Sequence, residues 1–493
     1  MKKIIVILSL LYTSCLIAQS VKLGVVEIDK FVGRDAGFVG KINGNYLFTT
    51  ANPVNHSEYF YFNKNAPEFY LLNNELKEIG YTNIENQFKE LELYNSKYQD
   101  IVIFSNNIFI VVLEKTRGEN VSKYYLYKLD SKTLQINLKE KIHLFDIELW
   151  TEKATQVVGS SFQYSISEDR SKLSFTVSRY MTPGFKAKGL KGLIAKTIVF
   201  DTALNKMYNN TLQIDPINDT EEISGYNPYV LNDGCFYLLL KYVVKKIDKN
   251  FMLQTIRDYP VYNIRTYFID KNGNGKQIEI GLPNDVYVTP GVQISANNNS
   301  IIIAGFPSLN EFDKYYSSFG LKVFGYFNKV IDKEEKTLGL NVFPFDKYFV
   351  DDLKRGNGLL KNHPEIQYDG TFLLEDETFF MISQLSGKDI IISYMSKSGK
   401  TIWLKSIERA HAGPERIRYI YKKETKDLCL VYEDNIEGTG MYYSKVNIDS
   451  TISASIPIIP KLRLFGNNRF AAENEIIVSD VSKGKITFAV ITF

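Results

Sequence analysis

Histidine, tryptophan and cysteine are scarce in this sequence, which holds four His, two Trp and three Cys among 493 residues. The histidines, His56, His143, His363 and His411, are scattered, and no Cys-x-x-Cys occurs. A zinc site built from near neighbours in the chain is therefore excluded, and no metal or other cofactor is expected. A Gly-x-Ser-x-Gly elbow and a phosphate-cradling P-loop are both missing, which removes two common catalytic signatures. The formal charge is only +3, so the chain has no broad basic field for phosphate backbones, and nucleic acid is not an expected partner. Beyond the first twenty residues no stretch reaches the roughly 18 apolar residues of a membrane-spanning helix. The longest run, Phe236 to Val244, is broken by Lys241 and has the length of a strand.

What is present is apolar and aromatic. Hydrophobic residues make up 44% of the chain and aromatics 14%, enough for a large core. Lys2 and Lys3 precede an apolar segment from Ile4 to Leu11, the layout of a secretory signal. Ala18 and Ser20 put small residues at −3 and −1 for cleavage after Ser20. A signal peptide is thus expected over 1–20, sending the rest to the periplasm, the cell surface or the outside. A lipoprotein reading at Cys15 fits less well, because Tyr12 stands where Leu is expected and Leu16-Ile17 continues the apolar run. Two cysteines then remain, Cys235 and Cys429, too few for a disulfide framework.

Short strands rich in Val, Ile, Tyr and Phe alternate with polar turns, and helical periodicity is rare. One hairpin recurs, a tight polar turn followed by a strongly apolar strand. Its turns fall at Asn43-Gly44-Asn45, Ser105-Asn106-Asn107, Glu168-Asp169-Arg170, Asn232-Asp233-Gly234, Asn297-Asn298-Asn299, Glu375-Asp376-Glu377, Glu424-Thr425-Lys426 and Glu473-Asn474-Glu475. A second hairpin alternates with it, marked by a strand ending in a polar residue at Asp130, Asp201, Asp270, Asp332 and Asp449, with looser copies at Asn73 and Ser396. Asx-type turns explain these side chains better than catalysis does. Asp270-Lys271-Asn272-Gly273-Asn274-Gly275 also matches half a calcium loop, but its twelfth position is Gly281, and a hairpin turn accounts for the same letters.

Two hairpins per period give four strands per period. The resulting pattern resembles the β-propeller superfamily in architecture, and it covers nearly the whole chain after the leader. The resemblance implies an all-β fold, a single propeller domain over 21–493 with about eight four-stranded blades, or seven if a terminal copy is an appendage. The last copy supplies three strands, Leu464 to Ala471, Glu475 to Asp480 and Lys485 to Phe493, and Val21 to Ile28 is expected to join it and close the ring. One segment, Ser396 to Trp403, looks like the tryptophan repeat of quinoprotein-like propellers, but it stands alone and adjacent paired cysteines are lacking, so no quinone is carried over. In this register Cys235 and Cys429 lie three blades apart, too far to pair, and both are expected to be buried free thiols.

The connections between second and third strands, and between blades, are long, notably 178–196, 241–265, 306–321 and 344–365. Long loops on a stiff scaffold are where binding residues gather. The aromatics there, Tyr180, Phe185, Tyr242, Tyr259, Tyr262, Phe312, Tyr315, Tyr316, Tyr348 and Phe349, are expected to form a binding face for a protein or a glycan. The expected function is a noncatalytic, monomeric binding or scaffold propeller. The alternative is a secreted carbohydrate-active enzyme that uses loop carboxylates such as Glu311, Asp313, Asp351 and Asp352 over the central channel.

Overall fold

A computed structural model gives the structure of the protein. It describes residues 20–27, 37–49, 67–93, 96–115, 121–148, 161–180, 193–214, 221–244, 261–278, 286–288, 293–296, 300–305, 307–309, 322–323, 325–332, 337–344, 366–385, 389–396, 398, 400–409, 417–422, 424–434, 440–460, 475–482 and 485–492. Strand β1 (Ser20–Glu27) comes first and belongs to the last sheet. The first sheet is a meander of β2 (Gly37–Ile42), β3 (Asn45–Thr49), β4 (Glu68–Leu72) and β5 (Glu78–Asn83), followed by the short helix α1 (Ile84–Glu90). The second is β6 (Ser96–Phe104), β7 (Asn107–Lys115), β8 (Val121–Leu129) and β9 (Ile136–Glu148). The third is β10 (Ser161–Ile166), β11 (Leu173–Tyr180), β12 (Leu193–Phe200) and β13 (Lys206–Ile214).

The fourth sheet is larger. It starts as β14 (Glu221–Val230), β15 (Phe236–Val244), β16 (Val261–Ile269) and β17 (Gly275–Ile278), and it adds β18 (Val286–Val288), β21 (Pro307–Leu309) and β22 (Lys322–Val323). The fifth holds β19 (Gln293–Ala296), β20 (Ser300–Gly305), β23 (Gly325–Asp332) and β24 (Thr337–Pro344). The sixth is β25 (Ile366–Leu373), β26 (Phe379–Leu385), β27 (Ile390–Met395) and β28 (Thr401–Ile407). The seventh is β29 (Arg418–Lys422), β30 (Asp427–Asp434), β31 (Gly440–Asn447) and β32 (Ile456–Pro460). The last contains β33 (Glu475–Ser482), β34 (Lys485–Thr492) and β1.

The fold is an all-β propeller. The expectation of eight, or seven, four-stranded blades needs correction, since six sheets are four-stranded. In the fourth, β17 is only four residues long, and part of what reads as bare connection, 306–321, forms β21, which pairs with β18 and β22. The terminal sheet has three strands among the described residues, because Leu464 to Ala471 lies outside them.

Local chemistry explains the hairpins. At Asn43 (φ 48) and Gly44 (φ 80), and again at Ser105 (φ 49) and Asn106 (φ 55), two successive left-handed residues make the turn whose twist matches paired strands. At the second hairpin the expected Asx turns form. Asp130 Oδ1 accepts from the amides of Lys132 and Thr133 at 2.9 and 2.7 Å, Asp201 Oδ1 from Ala203 and Asn205 at 2.9 and 2.8 Å, and Asp270 Oδ1 from Asn272 and Asn274 at 2.8 and 2.9 Å. Backbone amides at Asp130, and the Asn205 and Asn274 side chains ahead of the backbone amides at Asp201 and Asp270, hold all three carboxyls below the usual carboxylate range, against the opposing pull of desolvation.

Apolar faces of successive sheets share clusters. Ile42, Leu47, Ile101 and Ile110 join the first and second, Phe109, Tyr124, Phe162 and Phe175 the second and third, and Phe380, Ile392, Leu430 and Tyr442 the sixth and seventh. Phe38, Tyr46, Phe48 and Leu72 of the first sheet also pack with Ile477 and Val490 of the terminal one. There β1 pairs with β34 along its whole length, from Ser20 opposite Thr492 to Glu27 opposite Lys485. Lys41 Nζ meets Glu475 at 2.9 Å across the same junction. Among the described residues no helix is long and apolar enough to cross a membrane. Both thiols are free, but only Cys429 is buried, because Cys235 sits half-exposed just before β15.

Candidate functional site

Each four-stranded sheet has a hairpin end, where its two tight turns lie, and a connection end, where the long connections leave. Seven charged side chains are buried among the described residues, Glu68, Asp100, Arg265, Glu377, Arg409, Glu433 and Asp434. Glu377 belongs to a hairpin turn and Asp100 to a bulge in β6. Four lie at the connection end, where Glu68 opens β4, Arg409 follows β28, and Glu433 and Asp434 close β30. The fifth, Arg265 of β16, lays its guanidinium over the Tyr242 ring near the connection end of β15, 4.3 Å from the centroid. Taking a charge out of water is costly, so this bias toward one end is the feature that most needs a reason.

The densest group is at the junction of the sixth and seventh sheets. Phe380 and Ile382 on β26, and Leu428, Leu430 and Tyr432 on β30, face one shared core. Strand alternation then puts Gln384 and Asp434 next on the same faces, at the connection end. Arg409 Nη2 donates to Gln384 Oε1 at 3.3 Å. The Tyr432 hydroxyl lies between Ser444 Oγ at 2.8 Å and Ser455 Oγ at 2.6 Å. Burial is the main reason its pKa is raised. The Asp434 carboxylate pushes it the same way, while the hydroxyl bonds and Arg409 pull it down. A guanidinium with 4% exposure and a carboxylate with 2% therefore act on one phenol at the mouth of an apolar interface. Such a group keeps its orientation without water and exerts a strong, fixed field.

Two smaller groups share the connection end. In the first sheet, Glu68 accepts from the hydroxyls of Tyr70 at 2.9 Å and Tyr81 at 2.8 Å. In the fourth, Lys241 lies beside Tyr242, and burial lowers its pKa. The added strands lie here too, with Val288 of β18 opposite Tyr262, the second residue of β16. Among the described residues, no three His, Cys, Asp or Glu side chains gather to hold a metal ion.

The ten aromatics expected at the binding face divide into two sets. Tyr180 ends β11, Tyr262 is on β16, and Tyr242 is on β15. For Tyr242 the loop reading is corrected, because its ring is 1% exposed and packs with Leu240 and Tyr226. Phe185, Tyr259, Phe312, Tyr315, Tyr316, Tyr348 and Phe349 lie outside the described residues, as do the carboxylates Glu311, Asp313, Asp351 and Asp352. Arg265, Gln384, Arg409 and Asp434 were not expected. A signal existed for Asp434, which continues the in-phase series Leu428, Leu430, Tyr432 with a charge.

No protein-family model and no curated relative matches the chain. Solved structures of similar architecture include prolyl oligopeptidase B from Galerina marginata bound to a 35mer substrate, at 11% identity and a TM-score of 0.40, over 93% of this chain and 56% of that one. The β-propeller domain of the Trilobed protease from Pyrococcus furiosus gives 10% and 0.35, over 86% and 93%. An apocarotenoid oxygenase from Synechocystis gives 10% and 0.37, over 92% and 96%. The chain thus spans little more than half of the prolyl oligopeptidase. These likenesses concern the fold alone. The expectation of a noncatalytic scaffold finds no support among them, since those named are peptidases, an oxygenase and a gluconolactonase.

Proposed function

We propose that the protein is an exported enzyme whose connection face takes up a polar, hydroxyl-rich substrate of the glycan class. The observation that supports this is the buried set Gln384, Arg409, Tyr432 and Asp434 beneath the connections of the sixth and seventh sheets. In this reading those side chains are a preorganised floor. Arg409 and Asp434 fix the field, and groups on the connections above them, with the loop aromatics, meet the substrate. The leader over 1–20 carries the chain out of the cytoplasm, and residues 21–493 form one propeller domain.

The test is a reducing-end assay against a panel of soluble polysaccharides and oligosaccharides, with Arg409→Met and Asp434→Asn beside the native protein. Turnover that falls about a hundredfold in kcat in both variants, with KM nearly unchanged, is expected for loss of a preorganised field. Full activity in both variants, or no turnover of any glycan by folded native protein, overturns the reading. Export is tested separately by cell fractionation and by the mass of the mature chain, which should begin at Val21.

A further inference from the structure

The outermost strand of a propeller sheet presents an open edge, and an open edge is a template for another strand. Most of these edges are blunted. β9 carries Lys139, Glu140, Lys141 and Asp146, β28 carries Lys405, β32 has Pro457 and Pro460, and β1 has Lys22 and Glu27. β17 has four residues, β5 has six with Glu78 and a bulge, and β24 has a bulge at Gly339 and stops at Pro344. Strand β13 of the third sheet differs. Its one charge, Lys206, and its bulge, at Met207, are its first two residues. The seven that follow, Tyr208 to Ile214, contain no charge, proline or glycine.

Among the described residues β13 pairs with β12 alone, from Tyr208 opposite Val199 to Ile214 opposite Leu193. Its inner face is fastened to the fourth sheet. The Tyr208 hydroxyl donates to the Gly234 carbonyl at 2.8 Å, and Asn210 Nδ2 donates to the Gly273 carbonyl. Tyr208, Leu212 and Ile214 join the core shared with that sheet. Alternation puts Asn209, Thr211 and Gln213 on the other face, and all three are exposed. A further strand laid along this edge would cover them, so the edge is open. Its anchoring from behind holds it in strand form before any partner arrives. A stiff, uncharged edge of this length is the kind that recruits a strand.

We propose that two copies of the chain pair through β13, antiparallel, about a two-fold axis at Thr211. The edge is complementary to itself in that register. Thr211 meets the partner's Thr211, and Asn209 meets the partner's Gln213 on either side of the axis. On the inner face Tyr208 meets the partner's Ile214, and Asn210 meets the partner's Leu212. No charge opposes a like charge, the facing amides exchange hydrogen bonds, and a Thr–Thr pair is a favourable one. The contact is isologous, so it closes at two copies, and it joins the two third sheets into one continuous sheet. It is separate from the buried set of the sixth and seventh sheets and does not depend on the function proposed for it.

Sedimentation equilibrium of the full chain, from low micromolar to near-millimolar protein, should show monomer and dimer in exchange. Asn209→Lys combined with Gln213→Lys sets Lys against Lys on both sides of the axis and should weaken dimerisation about tenfold or more. Asn209→Lys combined with Gln213→Glu sets Lys against Glu and should keep it near the native level. Both positions are exposed, so thermal melts should find both variants folded. Ile402→Lys, exposed on β28, should change nothing. Thr211→Cys should give a disulfide-linked dimer in air, because directly opposite residues of paired strands have Cα atoms about 4.5–5.5 Å apart, within disulfide reach. Gln213→Cys, whose own mate lies further along the partner strand, should not. A chain that stays monomeric throughout and gives no Thr211→Cys crosslink overturns the proposal, as does a dimer that treats the two double variants alike. So does a monomer that instead takes an extended segment of another protein along β13.

Discussion

Replacing Gln87 should unfasten the first sheet from the second. Gln87 is in α1, which caps the first sheet, and its side chain is 3% exposed. Its amide nitrogen donates to the Leu134 carbonyl at 2.8 Å and to the Thr82 hydroxyl, while its oxygen accepts the Ile136 amide at 2.7 Å. Leu134 ends the β8–β9 turn region and Ile136 opens β9, so one side chain satisfies a buried carbonyl and a buried N–H of the neighbouring sheet. Gln87→Ala removes three hydrogen bonds. At about 1 kcal/mol net each, the loss is about 3 kcal/mol, with the two stranded backbone groups as the main cost. Gln87→Glu is more telling. Its carboxylate still accepts from Ile136 but gives Leu134 nothing, and burial raises its folded pKa. Stability is therefore least impaired below the unfolded value of about 4.3 and falls as pH rises toward the folded value. Urea denaturation at several pH values reads both effects. A cost below about 1 kcal/mol for the alanine variant, or a Glu penalty that does not change with pH, would refute the reasoning.

Three further outcomes follow from the geometry. Asp130→Ala should cost about 1 kcal/mol, as for loss of a capping carboxylate. Because the folded pKa of Asp130 is depressed, that cost is present above the ordinary carboxylate value of about 3.9 and shrinks as pH falls through the folded one, measurable by urea titration of native and variant chains. Lys41→Met should cost more than Glu475→Gln, because it strands a carboxylate of 14% exposure, whereas the amide that replaces Glu475 keeps an oxygen for the Tyr46 hydroxyl; thermal melts rank the two, and the reverse order would count against the closure contact. Cys235, pushed up to about 11 chiefly by burial and then by Asp233, should react with iodoacetamide at pH 8 at least about tenfold more slowly than a free thiol, as peptide mapping would show.

The hairpins were readable because their chemistry is local. Asn43-Gly44 and Asn232-Asp233-Gly234 mark their turns through residues that tolerate positive φ, and Asp130, Asp201 and Asp270 mark theirs through side chains that replace a backbone acceptor. Buried leucines at positive φ were not readable. Leu134 (φ 57) and Leu76 (φ 60) adopt a costly conformation that core burial offsets, and burial is set by distant strands. The fourth sheet misled for a similar reason. Pro307 to Leu309 is too short to look like a strand, and it becomes one only by pairing with β18 and β22. Tyr242 read as a loop residue because Lys241 interrupts its apolar run, yet β15 continues through both. The polar group under the sixth and seventh sheets depends on two sheets meeting, so Arg409 alone gave no hint of Gln384.

The pairing of β1 with β34 also sets an order of events. β34 is made after every other described strand, and β1 before them. The inner face of the first sheet, with Phe38, Tyr46 and Phe48, therefore has to wait for Ile477 and Val490 before it is covered. Until then the nascent chain carries a greasy flank and an open strand edge, both inviting wrong partners. A chain wired in this way gains from a chaperone that delays folding until its tail has emerged.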